Sequence, residues 1–363
     1  MSRSTDVVVV GGGIVGLCTA LAVADRGMQV TVLDDDQPCA ASRASAGMLA
    51  PSLPGLPNSL RDLACAARDR YPDLVLQLRE RSGVKVELDR SGIIELAATA
   101  AALEALHAHA GGLASRLTRS ELASLEPALA THFGALLHPL DGWVDNRALM
   151  DALWVAAERH ARIAVLRHQV REVDVAHGAA SATTTNGTRI GCSRIVIAGG
   201  AWCSDLQGLP RRLPVRPLKG ELLTLDRAPV RHVVAGADGY LVPRGRTLLV
   251  GATSEEAGFD ATPSVAGGQF LTGVATEIVP KLANARVAEH WGGLRPFSPD
   301  GMPLLGPDAI APSLLYACGF SRNGILLAPW AGEALATLLA DGHRAGIPSE
   351  FDPGRFGGDH NYL

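Results

Sequence analysis

DVVVVGGGIVGLCTALAVADRGMQVTVLD, residues 6 to 34, decides how the rest of the chain is read. It opens on four consecutive valines, Val7 to Val10, with no polar alternation. Such a run marks a strand buried on both faces, as in a parallel sheet. Gly11-Gly12-Gly13-Ile14-Val15-Gly16 follows as a turn, and Val15 to Arg26 carries a helical pattern closed by Gly27. Gln29 to Leu33 is a second apolar strand, ending at Asp34. Strand, helix and strand make a βαβ unit, which requires a parallel sheet and a right-handed crossover.

The turn matches G-x-G-x-x-G, with an acid at the end of the next strand. Gly11 permits the tight turn, Gly13 lets backbone approach a pyrophosphate, and Gly16 lets helix and strand pack closely. The helix start, at Ile14 and Val15, offers N–H groups and a partial positive charge to that anion. Asp34, with Asp35 beside it, is placed to hydrogen-bond ribose hydroxyls. The pattern therefore predicts dinucleotide binding and does not by itself separate NAD from FAD. The stretch Ala40 to Pro51 is built from small and polar residues, among them Ala41, Ser42, Ala46, Gly47 and Met48. A run of that kind lets a large planar ring lie against backbone.

Outward from this unit, the 363 residues suffice for two domains. A hydrophobic fraction of 47% against 19% charged residues fits a chain with a sizeable core. A net charge of −4 without a basic tract excludes nucleic acid and anionic membrane as main partners. The uncharged run Val7 to Ala24 has the length of a signal peptide or membrane span. The glycines inside it and its change of period argue for strand, turn and helix instead, hence no membrane partner. The six cysteines are scattered without a C-x-x-C pair. That pattern fits reduced thiols in the cytoplasm, not zinc or a disulfide framework.

Further along, Ser59 to Arg81 reads as a helix, Val84 to Leu96 as strands around Ser91-Gly92, and Thr99 to Ala110 and Thr118 to Leu125 as helices. Gly142 to Asp145 reads as a turn before a helix from Asn146 to Ala161. Strands are expected at Ile163 to Val175, Ser181 to Thr185, Arg189 to Ile190 and Ser193 to Ala198. The stretches 84–142 and 215–295 have an antiparallel look, with a helix over Gln269 to Leu282; Ile325 to Leu339 is the last long helix. The expected architecture is one parallel-sheet domain in pieces, 1–83, 143–214 and 297–363. A second, β-rich domain, 84–142 and 215–296, is interleaved with it.

Nine short motifs, in order, then resemble the D-amino-acid oxidase superfamily of flavoproteins, most closely the glycine oxidases that serve thiamine biosynthesis. They are G-G-G-I-V-G at 11–16, S-A-G-M-L-A-P at 45–51, G-W-V-D-N-R at 142–147, V-R-P-L-K-G-E at 215–221, G-Y-L-V-P-R at 239–244, G-A-T-S-E-E-A-G-F-D at 251–260, W-G-G-L-R-P at 291–296, D-G-M-P-L-L-G at 300–306 and R-N-G-I-L-L-A-P at 322–329. The resemblance implies an α/β fold: a Rossmann-like FAD-binding domain of the glutathione-reductase type with an interleaved antiparallel β-sheet substrate domain. It implies non-covalent FAD and a small amino-acid substrate such as glycine, sarcosine or a small D-amino acid. By the same resemblance, hydride passes from the substrate Cα to flavin N5. The products are a 2-oxo acid and ammonia, with dioxygen reoxidising the flavin to give hydrogen peroxide. Arg295 would grip the substrate carboxylate bidentately, Tyr240 would give it a hydroxyl, and Arg322 would stand beside the flavin. The residues Asn323, Gly324, Ile325 and Leu326 would present helix N–H groups to the flavin N1 and C2 carbonyl. The backbone of Val170 would contact adenine, and Gly199 and Gly200 would line the cofactor pocket. Relatives form dimers or tetramers, so a homo-oligomer is expected by analogy.

Three positions depart from the family pattern. Asp34 stands where Glu is usual, Asp238 where a pocket residue often lies two places before Tyr240, and Ser254 where some relatives carry Met. Asp238 at the entrance would favour cationic amines or repel a second carboxylate, and Ser254 would widen the pocket beyond glycine. The rival readings are a FAD-dependent dehydrogenase of D-amino acids or D-hydroxyproline that passes electrons to a non-oxygen acceptor, and a flavin-binding protein without turnover.

Overall fold

The structure is a computed structural model, and it describes residues 5–53, 57–110, 112, 114–175, 180–342 and 346–356. The end residues counted into the expected first and last pieces, 1–4 and 357–363, lie outside the described residues.

The valine run forms β1 (Thr5–Val10), the helical pattern α1 (Ile14–Asp25), and the second apolar run β2 (Val30–Leu33). β1 lies parallel between β2 and the strand Arg189–Ile197, and β2 pairs in parallel with Ile163–Leu166. Leu314–Cys318 adds in parallel beyond Arg189–Ile197. Val170–Asp174, Ala180–Thr184 and Arg189–Ile197 form an antiparallel meander on the same sheet. α1 is buried on every side except at Asp25, because the sheet covers one face and the helix Gly324–Asp341 the other. That explains its apolar all-round composition without a membrane. Among the described residues no helix is long and apolar enough to cross one.

The helix Gly324–Asp341 contains Pro329, which has no N–H to give Ile325 O. The hydroxyl of Tyr71, itself fully buried, donates to that carbonyl instead. The long helix expected over residues 59–81 is in fact a 3-10 turn, Asn58–Leu60, and two helices, Arg61–Asp69 and Tyr71–Ser82. The break falls where Pro72, in the first turn of the second helix, cannot continue the hydrogen-bond ladder of the first.

A second sheet of eight strands runs in the order 287–297, 216–225, 247–251, 240–244, 233–235, 93–97, 134–138, 115–117. It is antiparallel except for Val233–Ala235, which pairs in parallel with Ile93–Ala97. The helix Val265–Ile278 covers one face and closes a separate apolar core. Its strands come from 93–138 and 216–297, and those of the first sheet from the remainder of the chain.

Four local expectations are corrected. Gly142–Val144 is a strand, held between Met48–Leu49 and Leu88–Asp89; Asp145 then caps the following helix through the N–H groups of Arg147 and Ala148. The apolar stretch 163–175 is two strands, because its first half follows β2 and its second turns into the meander. Conversely, Arg189–Ile197 is one strand where two were expected, and Leu304–Pro307 is an additional strand paired with Leu314–Cys318.

Candidate active site

One cavity of about 720 Å³ runs from the glycine turn to the inner face of the second sheet. At its first end Gly11 has φ +111°, and a Cβ there would fall 2.4 Å from Ala198 O. A Cβ at Gly12 would meet the Trp154 ring at 2.3 Å, so the turn lies flat on that indole. Gly16 does not line the cavity. A Cβ on it would sit 1.9 Å from Gly11 O, so it serves helix–strand packing. The Ile14 N–H donates to Ser42 Oγ at 3.0 Å, while the N–H groups of Gly13 and Val15 have no partner among the described residues. Asp34 accepts from the Gly12 N–H at 2.6 Å and from the Asp36 N–H at 2.7 Å. Burial raises its carboxyl above the ordinary range, those two N–H groups pull it back, and the neighbouring Asp35 and Asp36 push it up again. The carboxylate keeps free lone pairs on both oxygens for further donors.

The cavity is further lined by the small-residue stretch, including Ala41, Ser42, Ala46, Gly47 and Met48, by the start of the helix Gly324–Asp341, and by Val170 and Gly199, the last against Gly11 at the first end. That helix has no side-chain cap. The N–H groups of Gly324, Ile325 and Leu326 have no partner among the described residues, and all three residues line the cavity. Two buried polar atoms beside them, Ser321 Oγ and Asn323 Nδ2, are likewise unpartnered. Unsatisfied buried donors are rare, and their convergence on one wall fits a ligand with several acceptors, as a flavin's N1 and C2 carbonyl would supply.

At the far end stand Arg295 and Tyr240. Arg295 donates from Nη1 to Lys219 O at 3.2 Å and Thr253 O at 3.1 Å, and from Nη2 to Thr253 O at 3.1 Å. No carboxylate among the described residues pairs with it. Burial holds its pKa below the usual arginine value. Burial raises the Tyr240 hydroxyl, and the charges of Arg295 and Arg322 draw it partly back. Both side chains lie on glycine: a Cβ at Gly220 would fall 2.3 Å from the Arg295 guanidinium nitrogens, and one at Gly251 2.4 Å from the Tyr240 hydroxyl. Arg322 reaches the same cavity from the turn before the helix, exposed and without an ion pair among the described residues. The structure thus brings together every expected site residue except Gly16.

Ser254 lines this end, but Asp238 does not: it is exposed, on the turn outside the strand, so the expected entrance carboxylate is absent. Sequence reading also missed Trp154, Trp202 and Asn146. The indole of Trp154 lies between the glycine turn and the Arg167 guanidinium, 3.9 Å from the ring centroid. Asn146 sits inside G-W-V-D-N-R and holds the small-residue stretch through Ser42 O and Arg43 O, both at 3.0 Å.

A glycine turn opening a helix, a strand-end acid and a long cavity closed by a second sheet define a dinucleotide-dependent oxidoreductase fold. Residues 6–338 match the family described as FAD dependent oxidoreductase, and the chain belongs to that family. It is 35% identical to the bifunctional protein ThiO/ThiG of Synechocystis sp. over 98% of this chain and 55% of that one. It therefore spans about half the length of the first curated relatives it matches. It is 35% identical to the glycine oxidase of Geobacillus kaustophilus over 93% of this chain and 94% of that one. The crystal structure of glycine oxidase from that organism superposes with a TM-score of 0.91 at 32% identity, covering 98% of this chain and all of that one.

Proposed function

We propose that the chain oxidises the carbon–nitrogen bond of a small amino acid, such as glycine, sarcosine or a small D-amino acid, to an imine that water hydrolyses to a 2-oxo acid and ammonia (methylamine from sarcosine), with dioxygen as terminal acceptor and hydrogen peroxide as by-product. The observation that carries this reading is the convergence of a half-buried Arg295, without an ion pair among the described residues, and a half-buried Tyr240 on the cavity that begins at the dinucleotide turn. The likeness to glycine oxidases over nearly whole chains supports it. The cavity's size, its orphan donors and the family assignment fit FAD, which supplies the two-electron acceptor.

The residues of this chain do the rest. The Arg295 fork takes the substrate carboxylate bidentately, and Tyr240, kept protonated by burial, donates a further hydrogen bond. Two guanidinium charges at that end disfavour an ammonium and so favour a neutral amine. Leu218, Leu222 and Phe297, which line the same cavity, would help to exclude water from it. The helix start at 324–326 offers its free N–H groups where negative charge would gather. In this reading Asp34 and Asp35 hold ribose, Gly13 to Val15 the pyrophosphate, and Val170 and Gly199 the adenine half. The division into a discontinuous cofactor domain and an interleaved substrate domain follows the two sheets. The six free cysteines suit a reducing compartment, the cytoplasm.

The test is anaerobic mixing of the yellow protein with glycine, sarcosine, D-alanine and D-proline. At least one is expected to bleach the flavin band; failure of all four removes the activity. Peroxide released in air at one per turnover supports the oxidase, and its absence alongside bleaching identifies a dehydrogenase.

A further inference from the structure

Behind the small-residue wall lies an arginine to which the proposed chemistry gives no task. Arg244 ends the strand Tyr240–Arg244, four residues from Tyr240 and on the same face of the strand, about 13 Å along it. It is mostly buried. Its Nη2 donates to Ala46 O at 2.8 Å, Val144 O at 3.3 Å and Asn146 Oδ1 at 3.3 Å. The guanidinium lies 4.2 Å from the centroid of the Trp143 ring. Its Nη1 stands 3.5 Å from Asp145 Oδ1, too far for a tight ion pair, and its Nε has no hydrogen-bond partner among the described residues. A desolvated charge so incompletely paired is costly, and a neutral strand-end glutamine would avoid the cost.

The three acceptors share one feature: all border the segment 42–48. Asn146 donates on to Ser42 O and Arg43 O, Val144 donates to Gly47 O at 2.9 Å, and Gly47, at φ +66°, is pressed so close to Val144 that a Cβ would fall 2.1 Å from its carbonyl. The segment has little regular structure of its own and forms one wall of the cavity. One guanidinium from the substrate sheet therefore ties that wall to the strand that carries Tyr240.

We propose that Arg244 is a positioning residue: it clamps the 42–48 wall in the shape that holds the flavin and fixes the distance from that wall to Tyr240. This rests on the FAD reading of the cavity. A guanidinium suits this place because its Nη2 meets all three acceptors while Nη1 stays turned toward Asp145 and the planar group lies over the Trp143 ring.

Holoenzyme carrying Arg244→Gln or Arg244→Lys tests it. FAD release after dilution is followed by the rise of flavin fluorescence, and glycolate, a carboxylate without an amine, is titrated against the bound flavin's visible spectrum. Release at least tenfold faster in the glutamine variant, intermediate release in the lysine variant, and a glycolate Kd raised at least fivefold in the glutamine variant are expected. A role confined to general stability would lower the unfolding temperature but leave release and glycolate affinity within twofold of wild type in the folded protein; that result overturns the proposal. Should neither variant fold, Asn146→Ala, which cuts the link from Arg244 to Ser42 and Arg43, reads the same two quantities, with the same outcomes deciding. A wild-type protein that holds no FAD would instead sink the functional reading itself.

Discussion

Gly220→Ala tests the carboxylate grip without touching the residue that makes it. The new methyl would sit 2.3 Å from both terminal nitrogens of Arg295 and 2.4 Å from its Cζ. Carbon and nitrogen in ordinary contact stand about 3.5 Å apart, so something must move by about 1 Å. The guanidinium is the free end of a long side chain, whereas Gly220 lies within a paired strand, so the guanidinium yields and the sheet does not. A shift of that size breaks both contacts to Thr253 O and misaligns the fork with an incoming carboxylate. Losing a charge-assisted hydrogen bond costs about 1.5–3 kcal/mol, or about 10- to 150-fold in binding. KM for the best substrate is expected to rise by that factor, with a smaller fall in kcat. The assay is steady-state oxygen consumption, backed by flavin content and thermal unfolding to show an intact holoenzyme. A KM within threefold of wild type in such a protein would refute the assignment of Arg295.

Gly11→Ala forces a residue with φ +111° and a 2.4 Å contact onto backbone, so the purified variant is expected to be colourless, as read by the ratio of visible to protein absorbance. Tyr71→Phe leaves Ile325 O buried without a donor and should cost about 1–3 kcal/mol in urea unfolding, while flavin content stays near wild type. Adding Pro329→Ala restores an N–H to that carbonyl, so the double variant should recover part of the loss; strict additivity would disprove the pairing. Asp308 is buried, which alone would raise its carboxyl. The N–H groups of Ala311 and Ile310, the Tyr316 hydroxyl and Arg211 outweigh that and hold it below the ordinary value. Its folded pKa is therefore below the unfolded one, near 3.9, so its contribution is complete above about pH 4 and fades as pH falls through the folded value. Asp308→Asn should be less stable at neutral pH and show a shallower loss of stability below pH 4; an unchanged acid slope would contradict this.

The cofactor end was legible because its demands act on single residues. Gly11, Gly13 and Gly16 each answer a separate steric need, and Asp34 marks the strand end. The valine run and the apolar helix needed only periodicity. Arg295 and Tyr240 carried no such local sign; they were found through family motifs, and the glycines beneath them, Gly220 and Gly251, show their purpose only in three dimensions. Arg244 sat in view at the end of G-Y-L-V-P-R, but its acceptors lie about 100 and 200 residues upstream, beyond any local pattern. The strand Gly142–Val144 was mistaken for a turn because its pairing partners are two-residue strands far away in the chain. Asp238 misled for the opposite reason: its place in the motif suggested a pocket position, while the turn before Tyr240 carries it out to solvent.

The helix α1, apolar on all sides, finds its second cover only in the helix Gly324–Asp341, roughly 300 residues later. On a ribosome adding about 5–20 residues per second, it waits about 15–60 s for that cover. Throughout that interval the nascent chain displays a sticky helix and an unfinished sheet. Its yield in a cell should therefore respond to chaperone supply more sharply than its final stability would suggest.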